Sequence, residues 1–358
     1  MKNKIFLFAA SVFAAAISGC VSDSFDAEFP ICAIFPLTGD CGAAAKDVID
    51  GMELAVSQIN AAGGVDGIPL KLETFDTAQK DFSTLETFDL MRRRGAKVFC
   101  VGFGKEMIFP SRLLSQGEDA FVNYMFTYPP ATIDSENCTR IFLNGAQEGD
   151  ALAKIVKRDP ENDVQLVTMS VDNPAGKSDS DYLNFNLKLE KTKLYRDYFS
   201  ENEKRFDVFS TQILRLYAQY VFYVGTGAEL PDFVSSLSNS GYKGVVAANC
   251  GLVRKDFGVP KNLKLYRVET LFEQGKIDTE ISRNFRAAFR AKYGRDATWL
   301  AAYGYDSIRL LADAVKKARF NPAKMRDSFR NTQYDGAIGH ISFDNTADSY
   351  SEISVVKK

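Results

Sequence analysis

The feature that most constrains this chain is a rhythm. Short apolar runs with strand character alternate with amphipathic stretches of helical spacing, and the connections are short. Residues 29–35 form an apolar run stopped by Pro36. Val48, Ile49, Met52, Val56 and Ile59 then recur at helical spacing over 43–60, and Gly63-Gly64 supplies the left-handed residues that end a helix. A strand at 70–75, a helix at 82–94, a strand at 97–101, a helix at 112–116 and a strand at 120–125 follow. The rhythm restarts at Ala146, with helices at 146–157, 180–189, 207–216 and 231–238 between strands at 164–169, 195–199, 220–224 and 244–248. Long helices at 279–293 and 299–318 come next, then Asn321-Pro322 as a cap and first-turn pair, then strands at 338–343 and 352–356. Such alternation predicts parallel sheets covered on both faces. The 358 residues suit two α/β lobes, each a doubly wound sheet. Ligands bind such sheets at the carboxyl ends of the strands. The loops after Phe35, Val101, Met125, Met169, Val224 and Ala248 are therefore the candidate site.

Charge and rare residues narrow the function. Forty-four Lys and Arg face forty-six Asp and Glu, so no broad basic surface exists to release counterions from nucleic acid. His340 is the sole histidine, which excludes a multi-histidine metal site and obliges any Ser-His-Asp or Cys-His site to use it. It stands between Gly339 and Ile341 in strand-like surroundings and reads as structural. Arg92-Arg93-Arg94 ends a helix, where cations suit the dipole, and reads as a solvated face. No pair of carboxylates stands at a spacing that argues general acid and base. The chain is expected to be no enzyme and to carry no cofactor or metal. Cys32, Cys41, Cys100, Cys138 and Cys250 contain no C-x-x-C pair, and their pairing cannot be read from spacing.

The first residues read as an address. Lys2 and Lys4 precede residues 5–17, where only Ser11 is polar. That run is too short to span a bilayer and suits a secretory signal. Ile17-Ser18-Gly19-Cys20 resembles the lipobox of bacterial lipoproteins, which implies cleavage before Cys20 and a diacylglycerol on its thiol. Two acyl chains anchor stably where one is marginal. Residues 21–28 read as a tether.

Phe35-Pro36-Leu37-Thr38-Gly39, and the run from Asp50 to Gly67 with its Asn60-Ala61-Ala62-Gly63-Gly64 turn, closely resemble the opening of leucine/isoleucine/valine-type periplasmic binding proteins. Ala96 to Gly102, Tyr303-Gly304-Tyr305-Asp306-Ser307, and Tyr334-Asp335-Gly336-Ala337-Ile338-Gly339 before Ile341-Ser342-Phe343-Asp344 continue the match. The resemblance implies the type I fold, two lobes joined by three crossover strands, placed near Leu143, Thr270 and Asp335. Lobe 1 is then 29–143 plus 271–334, and lobe 2 is 144–270 plus 335–358. It also implies a lipid-anchored protein outside the cytoplasm that hands a small solute to the permease subunits of an ABC importer, its lobes closing by a hinge.

The resemblance carries site residues with it. Thr127 falls where a threonine holds the ligand carboxylate in amino-acid-binding members. The serine-rich loop of the family becomes Gly102-Phe103-Gly104-Lys105-Glu106, whose free N–H groups and Lys105 suit an anion, while Lys105 and Glu106 also read as a solvated rim pair. Cys250 falls on the acid that holds the ligand ammonium, and a thiol cannot replace that charge. Ala44 and Ala175 fall on two aromatic positions. Asp172 and Glu229 are the alternative acids. Asp40, Cys41 and Gly227, on neighbouring cleft loops, complete the expected lining. The expected solute is amino-acid-like or another small organic acid or amide, not a plain aliphatic α-amino acid. The competing expectation is a sensor or scaffold lipoprotein with a degenerate cleft that docks another envelope protein.

Overall fold

The apolar run at 29–35 forms β1 (Phe29–Phe35), which is buried on both faces. Ile31, Ala33 and Phe35 join one apolar cluster while Cys32 and Ile34 join another on the opposite face. Helices cover both faces, and both edges are paired: β1 runs parallel to β2 (Leu70–Asp76) on one side and to β3 (Val98–Gly102) on the other. β4 (Phe121–Met125) and β5 (Cys138–Arg140) extend this into a parallel five-stranded sheet, ordered β2-β1-β3-β4-β5. This computed structural model describes residues 28–358 except 79–83, 134, 158–162, 189–190, 254–256 and the side chains of Thr84 and Lys105. The expected signal segment, Cys20 and most of the tether lie outside the described residues.

The helices between these strands are α1 (Gly42–Ala61), α2 (Thr84–Arg93) and α3 (Ile108–Ser115). Beyond β5 come α4 (Gly145–Ala153), β6 (Val164–Val171), α5 (Pro174–Leu187), β7 (Thr192–Phe199), α6 (Asp207–Arg215), β8 (Tyr220–Val224), α7 (Leu230–Asn239), β9 (Val245–Ala248) and β10 (Lys264–Thr270). Then follow α8 (Glu280–Tyr293), α9 (Trp299–Lys317), an antiparallel trio β11 (Gln333–Asp335), β12 (His340–Phe343) and β13 (Ser349–Ser351), and β14 (Ile353–Lys357). The second sheet is ordered β14-β10-β9-β8-β6-β7 and is parallel except for β14. Two doubly wound sheets are what the alternation predicts. β5 and β10 carry no sequence signal, β5 because it has three residues and β10 because Lys264, Arg267 and Glu269 interrupt its apolar pattern. Asn321-Pro322 opens two single 3-10 turns, Pro322–Lys324 and Arg326–Ser328, instead of a full helix.

The chain leaves the first sheet after β5, which leads into α4, and leaves the second after β10, which leads into α8. The third change falls between β13 and β14, not near Asp335. The buried Asp306 carboxylate of α9 accepts the N–H groups of Ala337 (2.8 Å) and Ile338 (2.9 Å) and pins the turn there. Further on, Ala347 accepts the Thr139 hydroxyl (2.8 Å), and the Ser349 hydroxyl accepts the Phe142 N–H (3.2 Å), both beside β5. Only at Ile353 does the chain enter the second sheet. His340 sits exposed in the trio, bonded through Nδ1 to Asp335 (2.7 Å) and through Nε2 to Gln333 (2.6 Å), a structural setting. No disulfide joins the five described cysteines.

α9 lies directly on α1, and glycine makes the close approach. A Cβ at Gly304 would stand 2.1 Å from the Val48 carbonyl oxygen, and one at Gly51 would stand 2.0 Å from that of Ala301. Both obstacles are backbone, so neither helix can yield without separating from the other. Gly304→Ala is expected to cost about 3 kcal/mol in urea unfolding, the upper end for overpacking. A loss below about 0.5 kcal/mol would contradict this account of the helix pair.

Candidate functional site

A cavity of about 320 Å³ lies between the carboxyl ends of the two sheets. Its first wall comes from the loops after β1, β3 and β4, and its second from the loops after β6, β8 and β9. Of the residues named from the sequence, Asp40, Cys41, Gly104, Glu106, Thr127, Ala175 and Cys250 line it. Three others do not. Ala44 is turned into the core from the first turn of α1. Asp172 is half exposed and ion-paired to Lys177. Gly227 lies behind the wall at φ +94, where a Cβ would meet the Val253 carbonyl oxygen at 2.6 Å, and its neighbours Gly225 and Thr226 do the lining. The Lys105 side chain lies outside the described residues.

The first wall is fixed by hydrogen bonds to backbone. Asp76, at the end of β2, accepts the Leu37 N–H (2.8 Å) and the Thr38 hydroxyl (2.9 Å), which holds the loop after β1. The loop after β4 is held by Arg140. Its buried guanidinium donates to the carbonyls of Phe126 (3.1 Å), Thr127 (2.7 Å), Tyr128 (2.9 Å) and Pro129 (3.0 Å), and its Nε ion-pairs with Asp348 at 2.8 Å. The second wall begins at helix starts, with Asn173 capping α5 by accepting the Gly176 N–H (2.8 Å).

Sequence reasoning named Asp40, Glu106 and Glu229 but missed Glu148, Asp179 and Glu201. Asp179 on α5 is buried, and one of its oxygens accepts the Thr127 hydroxyl across the cleft. The Thr127 donor expected to hold a ligand carboxylate is therefore spent on a carboxylate of the protein. Burial pushes the Asp179 carboxyl up to about 7, against smaller lowering by Thr127 and Arg140. Glu148, in the first turn of α4, is buried and accepts the Cys250 N–H at 2.6 Å. A carboxylate thus stands beside Cys250, supplied by a helix 102 positions earlier. Glu229 is buried too, accepting the Asn202 N–H (3.0 Å) and the hydroxyls of Tyr223 (2.9 Å) and Thr226 (3.2 Å). Of the two alternative acids, Glu229 is in the wall and Asp172 is not. Burial pushes the Cys41 thiol up to about 11, with Asp40 and then Glu229, Glu201 and Glu106 adding to the rise.

The missing rings are also replaced. Phe103, Phe142 and Trp299 line the cavity in sequence, with ring centroids 5.7 Å apart at each step. Phe126 adds a fourth ring, and its own neighbour is Tyr124 at 5.2 Å. Apolar walls with a few convergent polar groups are the usual form of a small-molecule site. Among the described residues no three His, Cys, Asp or Glu gather closely enough to hold a metal ion.

Two parallel α/β lobes with a cleft at their strand ends define a two-lobed binding protein. The chain belongs to the periplasmic binding protein family, whose model matches residues 28–351. It is 26% identical to a Leu/Ile/Val-binding protein homolog 3 of Brucella melitensis, over 94% of this chain and 93% of that one. Among solved structures it resembles a Rhodopseudomonas palustris solute-binding protein of an ABC transporter in complex with p-hydroxybenzoic acid (TM-score 0.78, 15% identity, 92% of each chain). It also resembles a leucine-binding protein of Thermotoga maritima (TM-score 0.77, 17% identity, 91% of this chain and 94% of that one). A Streptococcus pneumoniae branched-chain amino acid transporter substrate-binding protein in complex with isoleucine is similar as well (TM-score 0.73, 18% identity, 93% of this chain and 100% of that one). The protein is accordingly a periplasmic binding protein rather than an enzyme, and the family implies export from the cytoplasm. Among the described residues no helix is long and apolar enough to cross a membrane.

Asp179 makes a pH prediction with a definite sign. Its carboxyl is raised in the folded chain from an ordinary value of 3.8 to about 7, so the buried charge weakens folding once it forms. The stability it permits is complete below about 4 and is lost as pH rises through about 7. Asp306, likewise raised by burial to about 7, adds in the same sense. Asp179→Asn should melt like the parent at pH 4 and a few degrees higher at pH 8. An equal offset at both pH values would contradict the buried charge.

Proposed function

We propose that the protein is a lipid-anchored capture subunit of an ABC importer that encloses one small solute, amino-acid-like or another small organic acid or amide and not a plain aliphatic α-amino acid, and passes it unaltered to membrane permease subunits. The observation that carries this reading is the cavity whose walls come from the strand ends of both sheets. Lobe 1 is read as 29–143 plus 271–334 and lobe 2 as 144–270 plus 335–358, and the pairing of Ile353–Lys357 in the second sheet supports a last boundary nearer residue 352. Asp40, Cys41, Gly104, Glu106, Thr127, Ala175 and Cys250 form the proposed lining, joined by Glu148, Asp179 and Glu229. Anchoring at Cys20 rests on the residues Ile17-Ser18-Gly19-Cys20.

The mechanism is a population shift. Few contacts bridge the walls around the cleft: the Thr127 hydroxyl reaches Asp179, and the Gly145 N–H reaches the Thr127 carbonyl at 2.9 Å. A solute that touches both walls adds contacts available only when they are close, and so selects the closed form. Bound charge on the solute decides how much each wall contributes.

The reading is tested by thermal melting of the purified chain against amino acids, amides, amines, aromatic acids and sugars. One solute should raise the melting temperature by several degrees at saturating concentration. No response across the panel would favour the scaffold reading with a degenerate cleft. For the anchor, Cys20→Ala should move the protein from the membrane fraction to the soluble fraction without changing solute response. Retention in the membrane fraction would remove lipid from the account.

A further inference from the structure

We infer that the solute is a small organic cation, an amine or guanidine on a carbon-rich body, whose positive group seats at Asp179. The inference rests on the solute-capture reading above and specifies the charge of what is captured. The cavity wall carries Asp40, Glu106, Glu148, Asp179, Glu201 and Glu229, and no Lys, Arg or His side chain among the described residues. The described cations nearby are committed elsewhere. Arg140 is fully buried and occupied by four carbonyls and Asp348. Lys177 is exposed and turned to Asp172 outside the wall. A second anion placed here meets repulsion that nothing in the described wall offsets.

Asp179 is the independent observation. It is 7% exposed, it lines the cavity, and its Oδ1 has no hydrogen-bond partner. Its other oxygen has only the neutral Thr127 hydroxyl. A buried carboxylate with an open valence is costly unless a cation or donor arrives. Oδ1 is packed against Gly145, where a Cβ would stand 2.2 Å from it, so among the described residues the carboxylate is held at the wall with one oxygen unpartnered. Glu229 differs, because three neutral donors satisfy it while leaving its charge uncancelled.

The rest of the wall excludes a bare metal ion and fits an organic body. The carboxylates are dispersed, and among the described residues no metal-holding group forms. Between them stand the rings of Phe103, Phe142 and Trp299, whose faces favour cations as well as hydrocarbon. An ammonium at Asp179 with its carbon chain along these rings uses both features at once. A dicarboxylate or benzoate uses only the rings.

Calorimetric titration of the full chain at pH 7.5 tests this with four probes: 1,4-diaminobutane, 2-phenylethylamine, benzoate and leucine. At least one amine should bind about 30-fold or more tightly than benzoate. Asp179→Asn should weaken that amine by about 30-fold or more, the scale for removing one partner of a buried charge pair. The same variant should melt no lower than the parent at pH 8, which separates lost recognition from lost folding. Benzoate or leucine binding more tightly than both amines would overturn the cationic assignment and leave solute capture standing. Unchanged amine affinity in Asp179→Asn would overturn the role of that residue. Binding of none of the four, with no response in the wider melting panel, would overturn the capture reading itself. The comparison of probes on the parent chain needs no variant to fold.

Discussion

The cleft depends on one buried guanidinium. Arg140 ends the last strand of the first sheet and gathers the carbonyls of residues 126–129, the loop that carries Thr127 to the cleft. Its Nε meets Asp348, which also accepts the Thr132 hydroxyl at 2.9 Å. A planar fork of five donors suits this task, and an ammonium would not. Loop, first crossover and last passage between sheets are thereby tied at a single point. Thr127 is placed there with enough precision to reach Asp179 on the opposite wall.

From that point the electrostatics of the cleft follow. Arg140 is the closest strong cation to Asp179 that lowers its carboxyl, yet burial outweighs it. The guanidinium is spent on backbone and on Asp348, so it organises the wall without neutralising it. Six carboxylates and four rings, those of Phe103, Phe126, Phe142 and Trp299, make up the acidic and the apolar parts of the described wall.

Much of the fold was legible because periodicity reports burial on both faces of a parallel strand. Residues 29–35 and 220–224 read as strands for this reason, and 299–318 as a helix. β10 was not legible, since its charged residues alternate with apolar ones at a sheet position next to the antiparallel β14. The loops that form the cleft were legible from strand ends alone. Of its acids Asp40, Glu106 and Glu229 were named from the sequence, and Glu148, Asp179 and Glu201 were not. Glu148 and Asp179 stand on helices α4 and α5, and only packing within the second lobe brings Glu148 to Cys250 and only the meeting of the two lobes brings Asp179 to Thr127. Ala44 and Asp172 were misplaced by the same cause, because which helix or loop face meets the cavity is settled by tertiary packing. A Gly-Asn-rich approach to α4, Asn144 capping it and Gly145 leaving space, is the one local signal for the site there.

The central claim is that two lobes enclose a solute and release it unaltered. Native mass spectrometry of the full chain, purified without unfolding and supplied with the solute that melting identifies, tests this most directly. The account predicts one small molecule per chain, shed on denaturation with its mass unchanged. A chain that stays bare under those conditions, or a released molecule of altered mass, would contradict it.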